Sequence, residues 1–246
     1  MPTSVTDRIL DAVVHFLLPA WCLGCAEPLP RRTPSLCLCN RCREELKRPP
    51  RQRCPLCGAV VSAQPGAWLC APCGLAPPAF DRLLANWSYE PPLDEVIQGL
   101  KYHRLEFLAE DLAAEMVEGM TALATDHEVV TAVPLHWRRR LERGYNQAHR
   151  IATPLAKRLG LPYRRLLVRS AASAPQTTLR AAARRTNVAG VFRTRCTAAI
   201  SEARVLLIDD VATTGSTLDA ASRALKASGA VRVTALVSAL TPKKRV

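Results

Sequence analysis

The chain has 246 residues, of which 48% are hydrophobic, and a formal net charge of +13, which allows one large domain or one domain with a small module. Aromatics make up only 5%, so most of the core has to come from Ala, Leu and Val. No apolar stretch reaches the roughly 20 residues that cross a bilayer. The ten cysteines, with no secretion signal beside them, suit metal ligands better than disulfides. The expectation is a cytoplasmic protein without membrane insertion.

At the start of the chain, Val5, Ile9, Val13, Phe16 and Leu17 recur at helical spacing and are interrupted by Asp7 and His15, which predicts a short amphipathic helix and not a signal peptide. Residues 20–80 are rich in Cys, Pro and Arg and poor in long periodic runs, so metal has to substitute for a core. Four CxxC pairs recur at similar intervals: Cys22 with Cys25, Cys39 with Cys42, Cys54 with Cys57, and Cys70 with Cys73. Two such pairs complete the tetrahedral shell that structural zinc prefers, so eight ligands imply two structural zinc ions with closed coordination and no catalytic role. Sequential pairing is the simplest arrangement, and spacing leaves interleaved pairing open. The expected boundary lies near residue 80, with a helix and double zinc ribbon in 1–80 and an α/β domain in 81–246.

Beyond residue 80 the pattern alternates. "RLLANWSYE" reads as a strand, "PLDEVIQGLKYH" and "EFLAEDLAAEMVEGM" as helices, "EVVTAVP" as a buried strand, and "NQAHRIATPLAKRLG" as a helix closed by Gly160, with Pro154 an expected kink. "RRLLVR" and "ARVLLIDD" read as strands, "STLDAASRALKASG" as a helix stopped by Gly229, and "VRVTALVSAL" as a last strand. This alternation predicts a mostly parallel sheet with helices on both faces, and such sheets bind ligands at the carboxyl ends of their strands.

One of those ends carries unusual chemistry. Val205 to Ile208 are expected to form a strand that Asp209 and Asp210 leave, with Ala212, Thr213, Thr214, Gly215, Ser216 and Thr217 turning into the next helix. Backbone N–H groups at a helix start, four nearby hydroxyls and a glycine that permits close approach make a phosphate cradle. The carboxylates suit sugar hydroxyls or a metal better than the phosphate itself, so an anionic sugar phosphate satisfies both halves of the motif. The spacing is not that of a P-loop, which needs GxxxxGK[ST]. Charge adds a second signal: residues 137–193 hold fourteen Arg or Lys against the single acid Glu142, a block suited to a polyanion.

The stretch "VLLIDDVATTGSTL" resembles the phosphoribosyl pyrophosphate (PRPP) binding motif of type I phosphoribosyltransferases. Over essentially its whole length the chain is similar to the ComF family of competence and DNA-utilisation proteins, which join a double zinc ribbon to a phosphoribosyltransferase-like domain. "KYHRLEFL", "VPLHWRRRLERGYNQA" and "QTTLRAAARRTNVAGVF" resemble further ComF blocks in that order, with Tyr145 where phenylalanine is common. The resemblance implies that Asp209 and Asp210 contact the ribose hydroxyls directly or through Mg²⁺, that Ala212 to Thr217 hold the 5-phosphate, and that Pro134, Leu135 and His136 form the pyrophosphate loop. Arg138, Arg139 and Arg143 lie just beyond that loop. Gln176, Arg180, Arg184 and Asn187 are possible ligand or nucleic-acid contacts by family spacing.

For "RGYNQ" the structural alternative is that Gly144 ends a turn, Tyr145 packs and Asn146 caps the next helix. Lys101 and His103 could reach the site, although an isolated Lys or His more often makes a surface contact. Two functions follow from the resemblance: a PRPP-binding protein of DNA uptake or utilisation, whose partners would include single-stranded DNA and a competence helicase or uptake channel, or an active transferase passing phosphoribosyl from PRPP with Mg²⁺ to a nitrogenous base or amine. The only lysine between residues 137 and 205 is Lys157, in a predicted helix, and no general base is evident from the sequence.

Overall fold

The computed structural model describes residues 20–30, 35–61, 69–120, 126–169 and 191–242. The helix expected in residues 1–19, and Gln176, Arg180, Arg184 and Asn187, lie outside the described residues.

Four parallel strands make the central sheet: β1 (Arg82–Ser88), β2 (Val129–Ala132), β5 (Arg204–Ala212) and β6 (Arg232–Leu240), in the spatial order β1-β6-β5-β2. Their side chains alternate between two cores, as the two-residue period of a strand requires. Leu206 and Ile208 of β5 face one cluster, together with Trp87, Val130 and Leu236. Val205 and Leu207 face the other, together with Leu83, Val129 and Val233. The first core is closed by three helices, α3 (Leu93–Tyr102), α4 (Leu108–Gly119) and α6 (Gln147–Leu159), and the second by α7 (Ser216–Ala227). Helices on both faces of a parallel sheet match the sequence expectation.

Three local features differ from that expectation. The "RRLLVR" segment does not join the main sheet over its length. Its strand β3 (Leu167–Arg169) pairs antiparallel with β4 (Phe192–Thr194), and Leu166, Leu167 and Phe192 bury this hairpin against the second core. A further helix, α5 (Trp137–Arg143), stands without a single buried residue. It is delimited by caps: His136 Nδ1 accepts from Arg138 N at 3.3 Å, and Gly144 ends it at φ 82°. Helix α6 runs through Pro154 unbroken.

The cysteine-rich segment packs onto this domain. Short helices α1 (Asn40–Glu44) and α2 (Ala71–Leu75) each begin just after a ligand cysteine, Cys39 and Cys70. Cys22, Leu29, Leu36, Leu38 and Cys42 belong to the same buried cluster as α3 and α4. Leu36 N donates to Asp111 of α4 at 2.7 Å, and Arg43 is ion-paired with Glu115. Farther along, Leu83 N donates to Pro55 O at 3.0 Å. Gly58 (φ 71°) lies so close to Leu240 that a Cβ there would collide with it. Metal-ligand loops and sheet therefore share apolar packing.

Leu206→Ala and Leu207→Ala, at neighbouring fully buried positions that face opposite cores, should each cost about 2–5 kcal/mol. Denaturant midpoints would show this, and a loss for only one of the two would mean that one face is not packed as described.

Candidate sugar phosphate site and metal centres

β2 ends at Ala132, opposite Ile208, and β5 continues to Ala212 along β6. Asp209 and Asp210 therefore do not leave the strand, contrary to the expectation from sequence. They lie on the part of β5 that outruns β2. Without a β2 partner there, the backbone is served locally: Asp210 N donates to Asp209 Oδ1 at 2.9 Å, and Val211 N donates to Asp210 Oδ1 at 2.7 Å. Burial, and after it the adjacent Asp210 carboxylate, push the Asp209 carboxyl well above the usual carboxylate range, while the Asp210 N–H and Lys101 pull it back.

Lys101, for which the sequence left both a surface contact and a place at the site open, is the partner of Asp210. It sits at the end of α3 with Nζ 2.9 Å from Asp210 Oδ2, and the two side chains are only 17% and 13% exposed. An ion pair this shielded is weakly screened by salt. Nothing in sequence proximity signals it, because 109 positions separate the two residues. The carboxylates thus stand beside a lysine near the carboxyl end of β5.

The turn that follows has the features of an anion cradle. Gly215, at φ 80°, precedes the first turn of α7, and the nearest atom to a Cβ placed there would be Phe80 Cζ at 3.7 Å. Thr214 Oγ1 and Ser216 Oγ are 2.9 Å apart, and Ser216 N donates to Thr214 Oγ1 at 3.3 Å. Thr213, Thr214, Ser216 and Thr217 are exposed, and Ala212 is buried. On the other side, Val133 N donates to Ile208 O at 2.9 Å and brings the Pro134 to His136 loop next to the end of β5.

The "RGYNQ" residues act structurally. Asn146 Nδ2 donates to Val133 O at 2.9 Å, its Oδ1 accepts from Ala148 N at 3.1 Å, and the buried Tyr145 hydroxyl donates to Leu100 O. Arg138 and Arg139 are exposed on α5, with Arg138 stacked 5.3 Å from the Trp137 ring. Arg143 turns toward α3 and donates to the Tyr102 hydroxyl at 3.0 Å. His103 is exposed at the end of α3.

The eight ligand cysteines separate into two groups in sequence order: Cys22, Cys25, Cys39 and Cys42, then Cys54, Cys57, Cys70 and Cys73, with the sulfurs of each group within 4.8 Å of one another. The two are built alike. Cys22 N donates to Glu27 O and Ala26 N to Cys22 O, and Cys54 N donates to Ala59 O and Gly58 N to Cys54 O. A Zn–S bond of about 2.3 Å puts tetrahedral sulfurs about 3.8 Å apart; Cys25 to Cys39 is 3.7 Å and Cys57 to Cys70 is 3.5 Å. Although burial opposes it, backbone N–H groups draw Cys22 and Cys54 down to about 7. Burial and the surrounding thiols raise Cys42 and Cys73, a repulsion that a dication would relieve. Each group can hold one structural zinc ion. Cys37, buried, and Cys196, exposed, take no part.

Comparison with known proteins agrees with this geometry. The phosphoribosyl transferase domain family model matches residues 146–246. The chain is 32% identical over 226 residues to the DNA utilization protein YhgH of Salmonella typhimurium, covering 88% of this chain and 95% of that protein. It is 30% identical over 203 residues to Competence protein F of Haemophilus influenzae, covering 78% and 85%. To Competence protein ComFC of Bacillus subtilis it is 28% identical over 199 residues, covering 78% and 79%. Similarity over most of both chains, a parallel sheet of the phosphoribosyltransferase kind and two four-cysteine groups ahead of it lead to one assignment: the chain belongs to the ComF family.

Proposed function

We propose that this protein binds PRPP or a closely related sugar phosphate with Mg²⁺ at the end of β5 and acts in DNA uptake or utilisation. The observation that carries the reading is the pair Asp209 and Asp210, held beyond the end of β2 and followed directly by the hydroxyl-lined turn into α7. In this reading the carboxylates take the ribose hydroxyls, directly or through Mg²⁺. The turn from Ala212 to Thr217 receives the 5-phosphate on backbone N–H groups and hydroxyls. Pro134, Leu135 and His136 lie where a diphosphate would extend.

The role in DNA handling is supported by the names of the relatives and by the basic block over residues 137–193. Arg138 and Arg139, both exposed on α5, are among its described members open to a single strand. A helicase or uptake channel is the protein partner that such a role calls for, in the cytoplasm. The two four-cysteine groups hold structural zinc and organise residues 1–80 as a module docked on the phosphoribosyltransferase-like domain of 81–246.

PRPP with Mg²⁺ should raise the melting temperature of the protein, and Asp209→Asn with Asp210→Asn should remove that rise while leaving the zinc content unchanged; an equal rise in the double variant would refute the site. Binding of single-stranded DNA should weaken steeply between low and physiological salt. The slope of log affinity against log salt should become shallower by about 0.7 for each DNA phosphate that Arg138→Ala with Arg139→Ala no longer neutralises. A slope unchanged in that variant would remove α5 from the DNA surface. Stripping zinc with a strong chelator should destabilise the sheet as well as the ribbons, because the first four-cysteine group shares a core with the sheet. Calorimetry in which the main transition keeps its temperature after zinc loss would contradict this coupling.

A further inference from the structure

The second four-cysteine group is joined by two routes to the two ends of the turn from Ala212 to Thr217. On the first route, the chain reaches Phe80 seven residues after the last ligand, Cys73. Phe80 is buried in the second core, and its ring supplies the atom nearest to a Cβ built on Gly215, at 3.7 Å. Just before it, Ala79 N donates at 2.7 Å to Oδ1 of Asp219, in the first turn of α7, and Asp219 N donates to Gly215 O at 2.9 Å. Just after it, Asp81 Oδ2 lies 2.8 Å from Nζ of Lys226, in the last turn of the same helix. Residues 79–81 therefore hold α7 at both ends and place a ring beneath Gly215.

The second route starts at Gly58, the residue after the ligand Cys57. Gly58 packs on Leu240 at the end of β6, and the next residue, Thr241, donates its N–H to Ala212 O at 2.9 Å, where the turn begins. The first four-cysteine group shows why a glycine stands at 58. Its equivalent residue is Ala26, whose N–H donates to Cys22 O as that of Gly58 donates to Cys54 O. Both take left-handed backbone, at φ 57° for Ala26 and 71° for Gly58. The ligand loop itself thus accepts a Cβ, whereas the contact with Leu240 does not. Glycine at 58 serves the approach of this loop to the sheet.

The two groups also differ in what they support. Cys22 and Cys42 lie in the large cluster with α3 and α4, whereas Cys54, Cys70 and Cys73 share a separate small cluster with Ala59, against which Leu56, Cys57 and Val61 pack. So small a cluster takes its order from the metal. We propose that the second four-cysteine group is a positioning device for the turn at 212–217: with zinc bound it holds both ends of the turn in place, and loss of that zinc loosens the turn and lowers its affinity for a phosphate. The ligand named here rests on the sugar phosphate reading, while the two routes stand on contacts of the chain alone. By reciprocity, a phosphate held at the turn strengthens the hold of the second group on its zinc.

Hydrogen exchange and calorimetric titration with ribose 5-phosphate, both on the full-length protein, test this. Cys70→Ser with Cys73→Ser should remove one of the two zinc ions and quicken exchange at the Asp219 and Thr241 amides, which bond to Gly215 O and Ala212 O, by about tenfold or more. The amides of Val205 to Ile208, in the middle of β5, should keep their wild-type rates, and ribose 5-phosphate should bind about tenfold more weakly. Gly58→Ala and Asp219→Ala keep all eight ligand cysteines and each disturb one route, so each should reproduce part of both effects with the zinc content unchanged. Wild-type exchange at Asp219 and Thr241 in the serine variant, or wild-type affinity for ribose 5-phosphate there, would overturn the proposal. Equal quickening throughout β5 would overturn it too, since the second group would then support the whole sheet. If the wild type itself fails to bind ribose 5-phosphate, the sugar phosphate reading falls, and the exchange rates alone still decide whether the second group positions the turn.

Discussion

Two adjacent carboxylates on a strand that outruns its neighbour are the constraint around which this molecule is arranged. Had β2 continued beside β5, the backbone at Asp209 and Asp210 would be locked into a ladder. Because β2 stops at Ala132, the carboxylates themselves accept from the Asp210 and Val211 N–H groups. Their proximity is costly: Asp209 resists ionisation under burial and the Asp210 charge, and Lys101, paired with Asp210, offsets part of that repulsion. A strained arrangement of like charges is the kind of feature that marks a ligand site rather than a folding requirement.

The position of Lys101 ties this end of the sheet to the metal centres. Lys101 lies in the last turn of α3, whose Leu93, Val96, Ile97 and Leu100 belong to the same buried cluster as Cys22 and Cys42. Gly99 of that helix leaves room for Leu23, the residue after the first ligand. Packing thus runs without interruption from the first four-cysteine group through α3 to the ion pair at Asp210. A sparse set of aromatics leaves little surplus stability, which gives a physical reason for the first metal-ligand loops to be built into the core.

Much of this was legible in the sequence where chemistry repeats at fixed spacing or where apolar residues follow one period. The CxxC pairs announce two four-ligand groups, and α3, α4, α6 and α7 show helical periodicity. Sequential ligand pairing was the simplest choice, and it is the clustering of the sulfurs in space that groups the first four and the last four cysteines. Helix α5 was not legible, because Trp137 and Leu141 are both exposed and no apolar face exists to betray it; only the caps at His136 and Gly144 mark its ends. The "RRLLVR" strand was seen, but its antiparallel partner at Phe192 was not, since pairing is decided by tertiary packing and not by propensity. Lys101 owes its place beside Asp210 to a contact distant in sequence, so no local pattern could decide between the surface and the site.

The recognition of sugar hydroxyls by the acid pair is tested most directly by comparing ribose 5-phosphate with 2-deoxyribose 5-phosphate, each titrated calorimetrically in the presence of Mg²⁺ into the wild-type protein and into Asp209→Asn. Hydrogen bonds to a charged carboxylate contribute about 1.5–3 kcal/mol, so the wild type should prefer the hydroxylated sugar by about tenfold or more and the variant should lose that preference. Equal affinity for the two sugars in the wild type would contradict it.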